Sequence, residues 1–173
     1  MNDKYGLIDK NGKWAVLPEH EDIHIGARNM WYAMDNNKWG VIGIDGQFVI
    51  PIEYENVWIH TDNGITIAKA DHSQSRYDYA GTLIDAFVFD EVYQLAYYIN
   101  EFDKEGNQKQ AVDNNMLKYS ANSFYGLMTK TGIPVTPPLY SDIEAVTPGV
   151  YQCHIPETYE CIMVNAKGEK IND

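Results

Sequence analysis

Short apolar runs, each closed by a polar turn containing glycine, recur along the chain. Trp39 to Ile44 is one such run, Asp45-Gly46 closes it, and the β-branched segment Phe48-Val49-Ile50 follows. Runs this short, rich in aromatic and β-branched residues and punctuated by Asp-Gly or Asn-Gly, predict strands joined by hairpin turns. The pattern predicts antiparallel β structure throughout. A helix longer than two turns fits only inside one inserted segment, described below.

The runs are copies of one unit. Tyr5-Gly6, Trp39-Gly40 and Tyr125-Gly126 each precede a turn glycine by the same interval, at Gly12, Gly46 and Gly132. A further run, Cys161 to Val164, leads to Gly168 but has Cys161-Ile162 in place of the aromatic-Gly pair. After the turn, an aliphatic residue preceded by an acid or Asn appears at a constant offset: Asp22-Ile23, Asn56-Val57, Glu91-Val92 and Asp142-Ile143. The third of these exposes a hidden copy around Gly81, with Ser75 where the glycine of the aromatic-Gly pair is expected. Three residues earlier stand His20, Tyr54, Phe89 and Tyr140, all carrying rings. The turn glycines are separated by 34, 35, 51 and 36 residues, so the period is about 35 with one insertion of roughly 16 residues between Tyr93 and Ser123.

Each copy reads as strand, turn, strand, then a proline (Pro18, Pro51 or Pro137-Pro138) that is expected to end pairing because it has no N–H to donate. A loop with the ring residue follows, and a third strand begins near Ile23, Val57, Val92 or Ile143. The glycine after the aromatic is expected to let a ring lie over bare backbone. One hairpin cannot bury an apolar face alone, so neighbouring copies must pack together. The expected organisation is a single all-β repeat domain over 1–173, with copies at about 4–37, 38–70, 71–123 (carrying the insertion), 124–159 and a partial copy at 160–173.

This succession resembles the WG, or KWG, repeat family of bacterial proteins, and Lys38-Trp39-Gly40 is its signature. The resemblance is strongest from Lys38 to Val57. It implies a binding or scaffold module. It carries over no catalytic residues, because the motif positions are structural.

Charge narrows the partners. The formal net charge is −12, which disfavours direct contact with nucleic acid or anionic lipid and favours basic proteins. Base-free stretches recur in successive copies. Asp45, Glu53, Glu55 and Asp62 lie between Lys38 and Lys69, and Asp78, Asp85, Asp90, Glu91, Glu101 and Asp103 lie between Arg76 and Lys104. Asp142, Glu144, Glu157 and Glu160 lie between Lys130 and Lys167. Stacked copies would align these acids in a negative strip; a merely solvated acidic surface is the alternative. No apolar run approaches the roughly 18 residues of a membrane span. With only Cys153 and Cys161 and no apolar leader after Met1, a cytoplasmic location with reduced thiols is expected.

Candidate chemistry is sparse. His20 and His24 flank Glu21-Asp22 as a metal pair would, but His20 holds the ring position of the repeat, and zinc wants three or four placed ligands. Cys153 and Cys161 fall in an expected hairpin, opposite each other on one face, and read as two small buried residues, with a disulfide or zinc pair as the alternative. Nucleophile, phosphate-loop and zincin motifs are absent. No metal or cofactor is expected.

The insertion opens with Tyr93 to Ile99, which is apolar and aromatic, and continues through acids and the polar Lys104 to Gln110. It forms either a binding loop or an extended hairpin lying on the core. The residues expected to contact a partner are Glu53, Glu55, Trp58, Asp90, Glu91, Tyr97, Tyr98, Glu101, Asp103, Glu105 and Glu144. The expected function is a non-catalytic, immunity-type inhibitor that binds a basic protein such as a nuclease toxin. A general scaffold or peptide-binding module is the alternative, and an enzyme is the third class.

Overall fold

A computed structural model describes residues 3–171. Met1 and the last two residues of the partial fifth copy lie outside the described residues. Every element is an antiparallel strand, and no helix occurs among the described residues. Strands β1 (Tyr5–Ile8) and β2 (Trp14–His20) form a hairpin. A four-stranded meander follows: β3 (Asp22–Ile25), β4 (Trp31–Asp35), β5 (Lys38–Ile42) and β6 (Phe48–Tyr54). A second is built from β7 (Asn56–Ile59), β8 (Ile65–Ala68), β9 (Gln74–Tyr77) and β10 (Leu83–Val88). Two three-stranded sheets complete the chain: β11 (Glu91–Phe102), β12 (Gln108–Ala121) and β13 (Phe124–Thr129), then β14 (Asp142–Thr147), β15 (Val150–His154) and β16 (Cys161–Asn165).

The sheet is therefore out of phase with the repeat as read from the sequence. Each new sheet begins at the acid-or-Asn-plus-aliphatic mark, at Asp22, Asn56, Glu91 and Asp142, and in the first two meanders closes on the strand after the turn glycine. Contacts divide the chain into two compact units, Met1–Ala70 with Gln74–Val88, and Asp71–Ser73 with Phe89–Asp173.

One turn is used six times. Its first residue is Asp9, Gly43, Asp78, Asp103, Thr129 or Asn165. The carbonyl of that residue accepts from the amide of the glycine three positions on, at 2.9–3.2 Å, and its amide donates to the carbonyl of the residue after the glycine. This is a three-residue connection in which the glycine alone adopts positive φ, from +77° to +87°. Four of the openers reinforce it: the Oδ1 of Asp9, Asp78, Asp103 and Asn165 each accepts from two backbone amides of its own turn. Five of the six glycines, Gly12, Gly46, Gly81, Gly132 and Gly168, are those expected from the spacing. The sixth, Gly106, lies in the insertion, where Asp103-Lys104-Glu105-Gly106 repeats the logic of Asp9-Lys10-Asn11-Gly12.

The strand after the turn is bulged. In the second copy Trp39 pairs with Tyr54 and Val41 with Ile50, so β6 spends two extra residues opposite Gly40. The same register joins Tyr5 to His20, and a lone bridge joins Tyr125 to Tyr140. The aromatic of the aromatic-Gly pair and the ring residue fifteen positions later are thus cross-strand partners. Pro18 and Pro51 do not end their strands as expected; they sit inside β2 and β6, at the bulge, where no ladder N–H is required. Only at Pro137-Pro138 does regular pairing lapse to isolated bridges.

The bulge explains the glycine. A Cβ at residue 40 would stand 2.7 Å from the Ile50 carbonyl oxygen and 2.8 Å from the Ile52 nitrogen, so here backbone presses on backbone. A ring over bare backbone, as expected from the sequence, occurs at Gly126, where the ring of its strand partner Tyr119 takes the space of a Cβ. The serine of the third copy is accommodated because buried Ser75 turns its hydroxyl to the Ala86 carbonyl, at 2.9 Å.

Each unit has its own core. In the first, Met30, Val41, Ile50, Val57, Ile59, Ile65 and Ile67 cluster. In the second, Leu95, Met116, Leu127, Tyr140, Ile143, Tyr151, Cys153 and Val164 cluster. A carboxylate borders the second core. Asp113 is 2% exposed; its Oδ2 accepts from the Tyr151 hydroxyl at 2.7 Å, and its Oδ1 accepts from the Asn115 and Met116 amides at 2.7 and 3.1 Å. Burial, then the Asp113 carboxylate, raises the Tyr151 hydroxyl well above the ordinary phenol range.

The cysteines do not share a face. Cys153 pairs with Ile162 and Cys161 with His154, and adjacent strand positions point to opposite sides. Cys153 is buried, with its thiol pushed up to about 12 by burial, whereas Cys161 is exposed; both are free.

Three outcomes follow. Gly40→Val is expected to cost roughly 3 kcal/mol in chemical denaturation, against under about 0.5 kcal/mol for the exposed Glu53→Ala. Equal midpoints would remove the structural role of Gly40. Asp113→Ala leaves a core hydroxyl and two amides unpaired and is expected to cost about 3 kcal/mol by the same measurement. A thiol reagent at mild alkaline pH is expected to label Cys161 alone in the native protein and both cysteines after denaturation; rapid native labelling of Cys153 would contradict the burial described.

Candidate partner-binding surfaces

Unit one carries Glu53, Glu55 and Trp58. Glu53 is exposed on β6 and hydrogen-bonds the Tyr54 hydroxyl, which burial together with Tyr77 and Glu53 raises above its ordinary range. Glu55 forms an ion pair with Lys38 and so is partly neutralised. Trp58 is 37% exposed on β7, beside a cleft of about 310 Å³ lined by His24, Tyr32, Trp39, Asn56, Val57 and Trp58.

That cleft is built from the repeat marks. Val57, the aliphatic mark, points into the core, so its neighbours Asn56 and Trp58 point away from it. His24 and Tyr32 are partners across β3 and β4, and Trp39 lies on the same face of the sheet one row along. The His24 ring stacks on Trp39 with centroids 5.9 Å apart, and its Nε2 lies 2.9 Å from Asp22 Oδ2. The Tyr32 hydroxyl accepts from the Ile59 amide at 2.9 Å, tying the first meander to β7. His20, the other member of the supposed metal pair, lies on a different strand. It meets Phe48 edge-on at 5.8 Å and bonds Asp35. Partial burial pushes the Asp35 carboxyl up, but His20, the Glu21 amide and Lys4 outweigh it and hold it below the usual range. Among the described residues no group of three or more His, Cys, Asp or Glu is arranged to hold a metal ion.

Unit two carries Asp90, Glu91, Tyr97, Tyr98, Glu101, Asp103, Glu105 and Glu144. The insertion is the extended hairpin of β11 and β12, not an irregular loop, and its turn is the one at Gly106. Several of its acids have work within the chain. Asp90 Oδ2 accepts from the Asn122 amide at 3.1 Å, Glu91 accepts from the Tyr93 hydroxyl, and Glu101 pairs with Lys109 at 3.1 Å. Asp103 caps the turn, and the Asn107 side chain and amide, with neighbouring amides, lower its carboxyl below the usual range. Glu105 is exposed in the turn.

Alternation sets which aromatics are presented. Tyr98 pairs with Gln110 and Tyr97 with Ala111, so the two tyrosines face opposite sides of the ribbon. Tyr97 is half-buried, whereas Tyr98 is 63% and Phe102 59% exposed. Phe102 is missing from the expected contact set, although it is a large apolar residue set between Glu101 and Asp103 in the sequence. Tyr98 and Glu144 meet in a cleft of about 320 Å³, with Gln94, Gln110, Lys118 and the β14 residues Ile143 and Ala145. The fold thus groups Tyr98 with Glu144, and leaves Glu101, Asp103 and Glu105 as the sequence neighbours of Phe102 near the hairpin tip.

Residues 5–24 and 39–71 match the family model for the WG-containing repeat. These spans include the aromatic-Gly pairs Tyr5-Gly6 and Trp39-Gly40, together with the turns at Gly12 and Gly46. No curated protein matches the chain. The later copies repeat the same turn, and Tyr125 and Tyr140 bridge as Tyr5 pairs with His20 and Trp39 with Tyr54. Residues 5–24 and 39–71 of the chain are therefore WG-containing repeats.

Proposed function

We propose that this protein is a non-catalytic binder of a basic protein, and most specifically an immunity-type inhibitor that neutralises a basic nuclease toxin by direct contact. The observation that carries this reading is the inserted hairpin. It presents Tyr98 and Phe102, both more than half exposed, among Glu101, Asp103 and Glu105. Large aromatics held on a paired ribbon lose little freedom on binding and are the residues that dominate interface energies. Carboxylates around them supply the complementary field. A nuclease is basic because its substrate is a polyanion, and a net charge of −12 steers such a partner inwards.

The two contributions separate kinetically. Glu101→Gln, Glu105→Gln and Glu144→Gln together are expected to slow association about tenfold at low salt and to matter little at about 0.5 M salt. Asp103 is kept in that variant because it caps the turn. Tyr98→Ala is expected to speed dissociation about 30-fold at any salt, equivalent to roughly 2 kcal/mol. The measurement is binding kinetics against the basic partner purified from the native host, across a salt series, with the partner's nuclease activity followed in parallel. Salt-independent association removes the electrostatic half of the proposal. A partner that keeps full activity when saturated points to a scaffold instead of an inhibitor.

A further inference from the structure

The two units answer one structural question in different ways. In unit two, Tyr93, Lys118 and Tyr125 occupy the same places in the β11–β13 sheet as His24, Tyr32 and Trp39 occupy in the β3–β6 sheet. The registers show it. Glu91, Ser120 and Tyr125 form one cross-strand row and Tyr93, Lys118 and Leu127 the next. Asp22, Met34 and Trp39 form the corresponding row in unit one, and His24, Tyr32 and Val41 the next. The flanking polar contact is repeated too, as Glu91 with the Tyr93 hydroxyl and Asp22 with His24. The strand that comes next contributes Asp142-Ile143-Glu144 in one unit and Asn56-Val57-Trp58 in the other.

In unit two this place holds a cation. The Lys118 ammonium lies 4.9 Å from the centroid of Tyr125 and 5.7 Å from that of Tyr93, and it pairs with the Asp142 carboxylate. Its side chain is only 17% exposed, so the cation–π contact is largely desolvated and correspondingly strong. In unit one the lysine is replaced by Tyr32, whose hydroxyl is taken by the Ile59 amide. The glutamate is replaced by Trp58, and the two flanking rings are His24 and Trp39. The result is the cleft of about 310 Å³ with Tyr32, Trp39, Asn56 and Trp58 in its lining. The surroundings kept the aromatic walls, exchanged Tyr for Trp, and lost the internal cation.

We infer that the Trp39–Trp58 cleft of unit one is a receptor for a cationic side chain, lysine or arginine, presented by a basic partner protein. Indole is the strongest of the aromatic cation acceptors, and two indoles with Tyr32 make a wider, more open version of the site that Lys118 fills in unit two. Asn56 holds the repeat position of Asp142, which accepts from Lys118 in unit two. Asp22 keeps negative charge at the far side, beside His24. The inference deepens the proposed function, and rests on it for the source of the cation. It adds a contact region separate in sequence from the inserted hairpin.

Small probes test it without any partner. Blocked arginine and blocked lysine amides are titrated into isotope-labelled protein, with blocked norleucine amide as the neutral analogue, and the indole N–H resonances are followed. The expected result is saturable movement of the Trp39 and Trp58 signals with both cations, at least about fivefold weaker with norleucine, and no movement of Trp14 or Trp31. Trp58→Ala is expected to abolish the shift at Trp39. Asn56→Asp, which restores the carboxylate found at Asp142, is expected to tighten cation binding severalfold. Failure of both cations to move either indole, equal response to norleucine, or no gain from Asn56→Asp would each overturn the inference. Binding of the basic partner separates this from the broader reading. If Trp58→Ala leaves partner affinity unchanged while the salt dependence persists, the cleft is dismissed and the inhibitor proposal stands. If the cations bind the cleft but no basic protein does, the cleft stands and the inhibitor proposal fails.

Discussion

Backbone presses directly on backbone where Gly6 and Gly40 meet the bulges of β2 and β6, and the first two copies are arranged around that contact. The two extra residues opposite the glycine let Trp39 reach Tyr54 as a cross-strand partner while the turn at Gly46 stays short. The proline fits at the bulge because that stretch of strand has no ladder hydrogen bond to give. The bulge also bends the outgoing chain, and within one residue of Tyr54 the next sheet begins at Asn56. Where the glycine is replaced, as at Ser75, the buried hydroxyl bonds the Ala86 carbonyl of the partner strand.

Once the frame is set this way, the positions beside it are free to vary, and they vary in chemistry. The place held by Lys118 in one unit is Tyr32 in the other, and the place held by Glu144 is Trp58. One combination closes on itself through an ion pair and two cation–π contacts; the other leaves an aromatic cleft. The insertion shows the same economy. It lengthens two strands and closes them with the turn already in use: Asp103 and Gly106 rebuild the turn made by Asp9 and Gly12. A ribbon made this way can carry exposed Tyr98 and Phe102 without unpairing backbone.

The acids divide in the same spirit. Glu55, Asp90, Glu91, Glu101 and Asp103 all have bonds inside the chain, so the surplus negative charge does not translate residue by residue into an interface. Exposed pairs of this kind contribute little stability, yet the field they leave is long-ranged at low salt. Recognition by charge and recognition by rings are therefore separable properties of this surface, the first spread over many residues and the second confined to a few.

By itself the sequence determined the antiparallel β class, five of the six turn glycines and the places near which strands β3, β7, β11 and β14 begin. Each of these rests on local chemistry: positive φ needs glycine, short β-branched runs favour extended backbone, and an acid or Asn before an aliphatic repeats at a constant offset. The resemblance of Lys38-Trp39-Gly40 to the WG repeat followed from the same marks. Tertiary structure alone decided the rest. The grouping of strands into four-stranded meanders crosses the sequence repeat, because hydrogen bonding continues past the copy boundary read from the glycines. Pro18 and Pro51 stay within strands because the bulge, a feature of two strands together, removes the need for their N–H. A register shift of one residue put Cys153 inside and Cys161 outside, and a bulge in β12 carried Asp113 into contact with Tyr151, thirty-eight positions away. Such placements depend on which strand lies opposite, and a single strand's own pattern carries no record of its partner.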